Sequence, residues 1–192
     1  MSKLLLCFGD SLTYGYGVRP PNVWHQVIAR KKRWMIINRG QNGDSLLGMR
    51  LRMEHDLLQT KKDACTFMAG TNDLLSGRVP AQVAADTESL FETIADNQPQ
   101  SCLIIPPPAI GWMAERSWDA TADYMQCNLG LMQMAESLSL RFPGKVVNLF
   151  SGFMDLDQKT REALYLDGIH LTEEGHQFFA ETLLSDPAFV TI

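Results

Sequence analysis

Five short apolar runs, at 4–8, 34–37, 65–68, 102–105 and 146–147, constrain this chain most. Each stops at, or is followed by, residues that turn the chain. Apolar runs of this length, bounded by glycine, proline, asparagine or aspartate, read as strands buried on both faces. Segments of helical period separate them. Strands alternating with helices predict one α/β domain over residues 1–192, built on a parallel sheet with right-handed crossovers. No repeat or low-complexity linker divides it.

The helices are expected as follows. Trp24, Val27, Ile28 and Lys31 share a face over 24–31. Ser45 caps a helix with Leu47, Leu51 and Leu58 on one stripe. Pro80 opens a helix to about Asp96, with Val83, Leu90, Phe91 and Ile94 inward. Over 121–140, Met125, Leu129, Met132, Ala135 and Leu138 form a stripe expected in the core. Thr172 caps the last helix, with Glu173 and Glu174 in its first turn.

Composition removes several classes of function. The net charge is −5, from 17 basic and 22 acidic residues. No basic patch suits a nucleic acid, and no segment is long and apolar enough to span a membrane. The N-terminal run is too short for a signal peptide. Cys7, Cys65, Cys102 and Cys127 include no Cys-x-x-Cys pair, so they read as buried apolar residues in a reducing compartment. A cytoplasmic protein is expected. The sequence carries no signal of oligomeric state.

Polar clusters fall where strands end, which is where open parallel sheets bind ligands. Ser11 follows the first strand, Gly43 the second and Asn72 the third; Asp167 and His170 follow the fifth. With strand order 2-1-3-4-5, as in flavodoxin, Ser11 and Asn72 face each other across the crevice. A strand-end serine is a nucleophile if a base reaches it, and otherwise a helix cap. Asp167 and His170 are spaced to share one turn. The carboxylate would fix the imidazole tautomer and leave the other nitrogen to take the Ser11 proton. The plainer alternative is a turn leading into Thr172. The charge that builds on a substrate oxygen needs fixed donors. Candidates are the Ser11 N–H, the Gly43 N–H and the Asn72 amide, with Gly40 a rival to Gly43. Gly43 as a left-handed turn and Asn72 as a cap are the alternatives.

Four blocks, Gly9-Asp10-Ser11-Leu12, Asn38-x-Gly40-x-x-Gly43, Gly70-Thr71-Asn72-Asp73 and Asp167-Gly168-Ile169-His170, resemble those of the SGNH/GDSL hydrolases, in the family's order. The departure is Ser45, where many members carry threonine. The resemblance implies a three-layer α/β/α fold and a serine hydrolase without metal or organic cofactor. It implies Ser11 as nucleophile, Asp167 and His170 as acid and base, and Ser11, Gly43 and Asn72 as oxyanion donors. The serine motif is not the Gly-x-Ser-x-Gly elbow of α/β-hydrolases. Small members of this kind include arylesterases, acetyl esterases, thioesterases and lysophospholipases.

Asp10 is expected to organise the turn, and Asp73 to be structural. His25, His55 and His176 are expected on the surface or in the core. Asp167, His170 and His176 lack the spacing of a metal site. The loop 14–24 and the segment 106–118, with Trp112 and Trp118, are the candidate walls of the pocket. The expected substrate is a small ester with a short acyl group. The alternatives are a lysophospholipase or acyl thioesterase, a flavodoxin-like flavin or phosphate module, and an inactive carbohydrate-binding relative.

Overall fold

The structure is a computed structural model and describes residues 2–192. Strands β1 (Leu4–Gly9), β2 (Met35–Gly40), β3 (Ala64–Met68), β4 (Ser101–Ile105) and β5 (Val146–Asn148) pair in parallel in the order β2-β1-β3-β4-β5. The chain leaves β1 for one neighbour and returns to the other. Above β1 the two crossovers diverge, and a crevice opens.

Side chains alternate across β1 and fill two layers. Leu5 and Cys7 join one core cluster with Trp24, Ile28, Phe179, Leu183 and Phe189. These come from α2 (Trp24–Lys32), α10 (Glu173–Ser185) and α11 (Pro187–Val190). Leu6 and Phe8 join the other cluster, with Met49, Phe91, Met134 and Leu138. Those come from α3 (Leu46–Met53), α5 (Pro80–Asn97) and α7 (Tyr124–Arg141). The result is the expected three layers. β1 and β3 are almost wholly buried because both faces are covered, with Thr66 their one polar side chain, whereas edge strand β2 is only half-buried and leaves Met35 exposed.

Helix starts follow their caps. Ser45 accepts the Gly48 N–H, Thr172 accepts the Gly175 N–H, and Pro80 takes the first helical position. Short helices α1 (Ser11–Tyr14), α4 (Thr71–Leu75), α6 (Gly111–Ser117), α8 (Leu149–Met154) and α9 (Gln158–Ala163) carry too little periodicity to be read from the sequence.

On α2 Trp24, Val27 and Ile28 are buried as one face, with His25 buried beside them and Lys31 exposed. Two other helix faces differ from expectation. On α3, Leu47 and Leu51 are 64% and 78% exposed, and Leu46, Met49 and Met53 face inward. The Leu46 N–H donates to the buried Asp73 carboxylate at 2.9 Å, which sets the rotation of the helix. Past Met53 the helix widens into a π turn, Glu54–Leu58, which shifts the phase and buries Leu57 in place of Leu58. On α7 Ala135 and Leu138 are buried as expected, but they share the inner face with Tyr124, Cys127, Leu131 and Met134, while Met125 is 70% exposed with Leu129 and Met132 beside it. Two apolar stripes compete on this helix, and periodicity alone does not rank them.

Candidate active site

β1 ends at Gly9, and Asp10 caps the one-turn helix α1 by accepting the Leu12 N–H at 3.0 Å. The Trp24 indole N–H donates to the Leu12 carbonyl at 3.1 Å and pins this turn to α2. Ser11 is thus held at the mouth of the crevice. Asp10 is a turn organiser, as expected. Burial raises its carboxyl to about 6, against the opposing pull of the Leu12 N–H and of nearby His170.

The loop after β5 and α9 returns to the same mouth. Tyr165 and Leu171 form an isolated antiparallel bridge, and the Leu166 N–H donates to the His170 carbonyl at 2.8 Å. The Tyr165 hydroxyl donates to the Pro108 carbonyl at 2.6 Å, which docks the loop on the segment after β4. Gly168 sits at φ 90°, and a Cβ there would lie 2.6 Å from both the Ala114 nitrogen and the Ile110 oxygen. Only glycine fits both the backbone and the space. The turn lets Asp167 Oδ1 accept the Ile169 and His170 N–H groups at 2.9 and 2.7 Å. Its Oδ2 accepts from His170 Nδ1 at 2.9 Å.

His170 Nε2 lies 2.9 Å from Ser11 Oγ, across 159 residues of sequence. With Nδ1 donating to the carboxylate, Nε2 is the acceptor of the serine proton. Burial pushes the Asp167 carboxyl up, but the His170 ring and the two backbone N–H groups outweigh it and hold the carboxyl at about 2. The carboxylate is therefore ionised at neutral pH. Such an arrangement can pass a proton from hydroxyl to imidazole and stabilise the imidazolium that forms.

Ser11, Gly43, Asn72 and His170 line one cavity of about 410 Å³. The two candidate glycines divide the work. A Cβ on Gly40 would lie 2.1 Å from the Tyr14 nitrogen, so Gly40 serves the close packing of α1 on β2. Gly43, at φ 72°, has open space around it and faces the cavity. Asn72 donates one amide hydrogen to the Asp44 carbonyl at 2.8 Å and keeps a second. Asp73 is structural: its carboxylate takes the Leu46 N–H and the Arg78 guanidinium.

Aromatic rings close the His170 side. The Tyr16 ring centroid lies 4.4 Å from that of His170, and the Trp118 centroid 5.1 Å. Tyr16 and Trp118 belong to the two expected walls. Trp112 does not reach the cavity and donates to Glu162 at 2.9 Å. Leu75, Tyr124 and Ile169 complete the apolar lining. None of these three stood out in the sequence, because each reads as an ordinary core residue.

The other histidines stand apart. His55 is exposed beside Asp56. His25 and His176 are buried, and burial lowers them to about 4 and about 3. His176 Nδ1 accepts the Trp24 N–H at 3.4 Å. A second, larger groove of about 630 Å³ lies across the Ala122–Tyr124 segment, along the exposed Met125, Leu129 and Met132.

Among solved structures, a lipase/acylhydrolase from Enterococcus faecalis superposes with a TM-score of 0.78 at 22% identity, over 95% of this chain and 93% of that one. The acetyl xylan esterase AlAXEase gives 0.77 at 20% identity, over 95% and 98%. A G-D-S-L family lipolytic protein from Veillonella parvula gives 0.76 at 21%, over 94% and 96%. These likenesses bear on the fold. No curated protein is a significant match to the sequence. A sequence model of one family matches residues 7–178, nearly the whole length: the chain belongs to the GDSL-like lipase/acylhydrolase family, hydrolases that act on esters.

Proposed function

We propose that the protein is a serine esterase that cleaves small carboxylic esters with short acyl groups through an acyl-enzyme. One observation carries the reading: Ser11, His170 and Asp167 form an unbroken hydrogen-bonded chain at 2.9 and 2.9 Å. His170 Nε2 takes the Ser11 proton as Oγ bonds to the substrate carbonyl carbon. The carbonyl oxygen becomes an oxyanion, met by the Ser11 and Gly43 N–H groups and the free Asn72 amide hydrogen. His170 then gives its proton to the departing alkoxide, which leaves as the alcohol. Water repeats the sequence on the acyl-enzyme and releases the acid.

The modest volume of the cavity, about 410 Å³, and its lining by Leu75, Tyr124 and Ile169 suit a short acyl group. Trp118, about half-exposed at the rim, suits an aryl or sugar leaving group. An acetylated sugar fits that description, and AlAXEase, of the same fold, is described as an acetyl xylan esterase. The four unpaired, buried cysteines fit work in a reducing compartment, and we assign the protein to the cytoplasm on that basis. A lysophospholipase or acyl thioesterase is favoured instead by the apolar groove beyond Ala122 and Tyr124.

A p-nitrophenyl ester series decides between the two. The short-acyl reading expects kcat/KM on the acetate or butyrate well above that on the laurate or palmitate, below their aggregation concentrations. The reverse order moves the assignment to the long-chain class.

A further inference from the structure

Arg52 lies on the last turn of α3, outside the cavity, and its side chain is only 13% exposed. It touches nothing that would react. Its guanidinium nevertheless spends its donors on the segments that carry the oxyanion donors. Nε donates to Asp44 Oδ2 at 2.7 Å, and Nη2 donates to the Gly9 carbonyl at 2.9 Å. Nη1 donates to the Arg39 carbonyl at 2.9 Å and to Asp56 Oδ2 at 3.1 Å. The planar group stacks 4.2 Å from the centroid of the Phe8 ring. The end of β1, the end of β2 and the loop after Gly43 thus meet on one rigid fork.

Two of these contacts lead directly to oxyanion donors. The Gly9 carbonyl, which also accepts the Gln41 N–H at 3.0 Å, ends the strand that delivers Ser11. Asp44 follows Gly43, and its main-chain carbonyl receives the Asn72 amide at 2.8 Å. Fixing Asp44 therefore fixes Gly43 by the chain and Asn72 by the hydrogen bond. We propose that Arg52 is the positioning residue of the oxyanion hole, holding Gly43 and Asn72 against Ser11. This rests on the esterase reading above. It distinguishes Arg52 from an ordinary structural ion pair, whose loss would lower stability without acting through Asn72.

The experiment is a double-mutant cycle on p-nitrophenyl acetate, with thermal unfolding recorded on each variant. Arg52→Lys keeps the charge but not the fork. It is expected to lower kcat roughly 10- to 100-fold, as a small misplacement does, with KM within about threefold. Asn72→Ala is expected to cost about 10²–10³-fold in kcat. The two together should cost clearly less than the product of the single losses, because the part of Arg52's effect that runs through Asn72 is already removed while the part through Gly43 remains. Multiplicative losses, or a kcat for Arg52→Lys equal to wild type, overturn the proposal. If Arg52→Lys does not fold, Asp44→Asn carries the test. It keeps the main-chain carbonyl and removes the charge. A kcat loss that is clearly smaller in the Asn72→Ala background than in the wild type supports the proposal, and an unchanged kcat or a fully multiplicative loss overturns it. If Ser11→Ala hydrolyses the ester as wild type does, it is the esterase reading that fails instead.

Discussion

His170 and His176 sit six residues apart, one in the loop and one on the helix that follows, and nearly all of both is buried. The loop surrounds His170 with partners: a carboxylate on Nδ1 at 2.9 Å and a hydroxyl on Nε2 at 2.9 Å. The helix gives His176 one long contact, 3.4 Å from the Trp24 nitrogen, and packs it near His25. Burial alone silences a histidine by disfavouring its charged form. Burial with a carboxylate behind and a hydroxyl in front leaves one whose protonated form has a counter-ion.

The largest expected effect separates the two directly. His170→Ala should lower kcat by about 10⁴-fold or more, as loss of a triad member does. His176→Gln should leave kcat within about threefold of wild type once measured on folded protein. Comparable losses of kcat in the two variants would erase the distinction. Asp167→Asn keeps the shape of the loop but no longer holds the imidazole in the required tautomer. It should cost about 10²–10⁴-fold in kcat, with KM little changed; a rise in KM alone would make Asp167 a binding residue.

Acid stability sharpens the comparison from the other side. His25 and His176 have folded values of about 4 and about 3, below the unfolded value of about 6.5. The unfolded chain therefore takes up protons first. Their contribution is complete above pH 6.5 and falls as pH drops through that range, by about 1.4 kcal/mol per pH unit for each histidine. Asp10 opposes them. Its folded value of about 6 exceeds the unfolded one, so its contribution is present at low pH and lost as pH rises through 6. Between pH 4 and 6 the three groups sum to a net slope of about 1.4 kcal/mol per unit. Urea unfolding at several pH values should show that slope largely removed by His176→Gln and about doubled by Asp10→Asn. A slope that neither variant alters would mean that these groups are not desolvated as described. Asp167, held at about 2, adds a separate loss at lower pH, as pH falls from about 3.8 through 2.

The smallest effect is expected at the rim. Trp118→Ala should raise KM for aryl or sugar esters several-fold and leave kcat within about threefold, because a stacked ring binds ground and transition states alike. A loss confined to kcat would mean that Trp118 orders His170 rather than substrate.

What could be read from the sequence follows the range of the interactions. The strands and their strand-end clusters are local and were legible; the flavodoxin-like order and the resemblance of the four blocks then sufficed to expect Ser11, Gly43, Asn72 and His170 at one cavity, with Asp167 behind His170. The caps Ser45 and Thr172 were legible for the same reason. The buried face of α3 was not, and that of α7 only at Ala135 and Leu138. On α3 the rotation is set by Asp73, which lies 27 residues away, and by a π turn that no periodicity announces. On α7 two apolar stripes were available, and only docking on the sheet selects between them. Tyr16 was visible as part of a wall, but its stacking on His170 across more than 150 residues had no sequence signal. The long reach of Arg52 to Gly9, 43 residues away, had none either.

The most direct test of the central claim is covalent. A p-nitrophenyl organophosphonate is added to the wild-type protein and to Ser11→Ala, and adducts are located by peptide mass mapping. A single adduct on Ser11 is expected in the wild type, formed much more slowly in His170→Ala, and none in Ser11→Ala. An adduct on another serine, or labelling of Ser11→Ala at the wild-type rate, would contradict that claim.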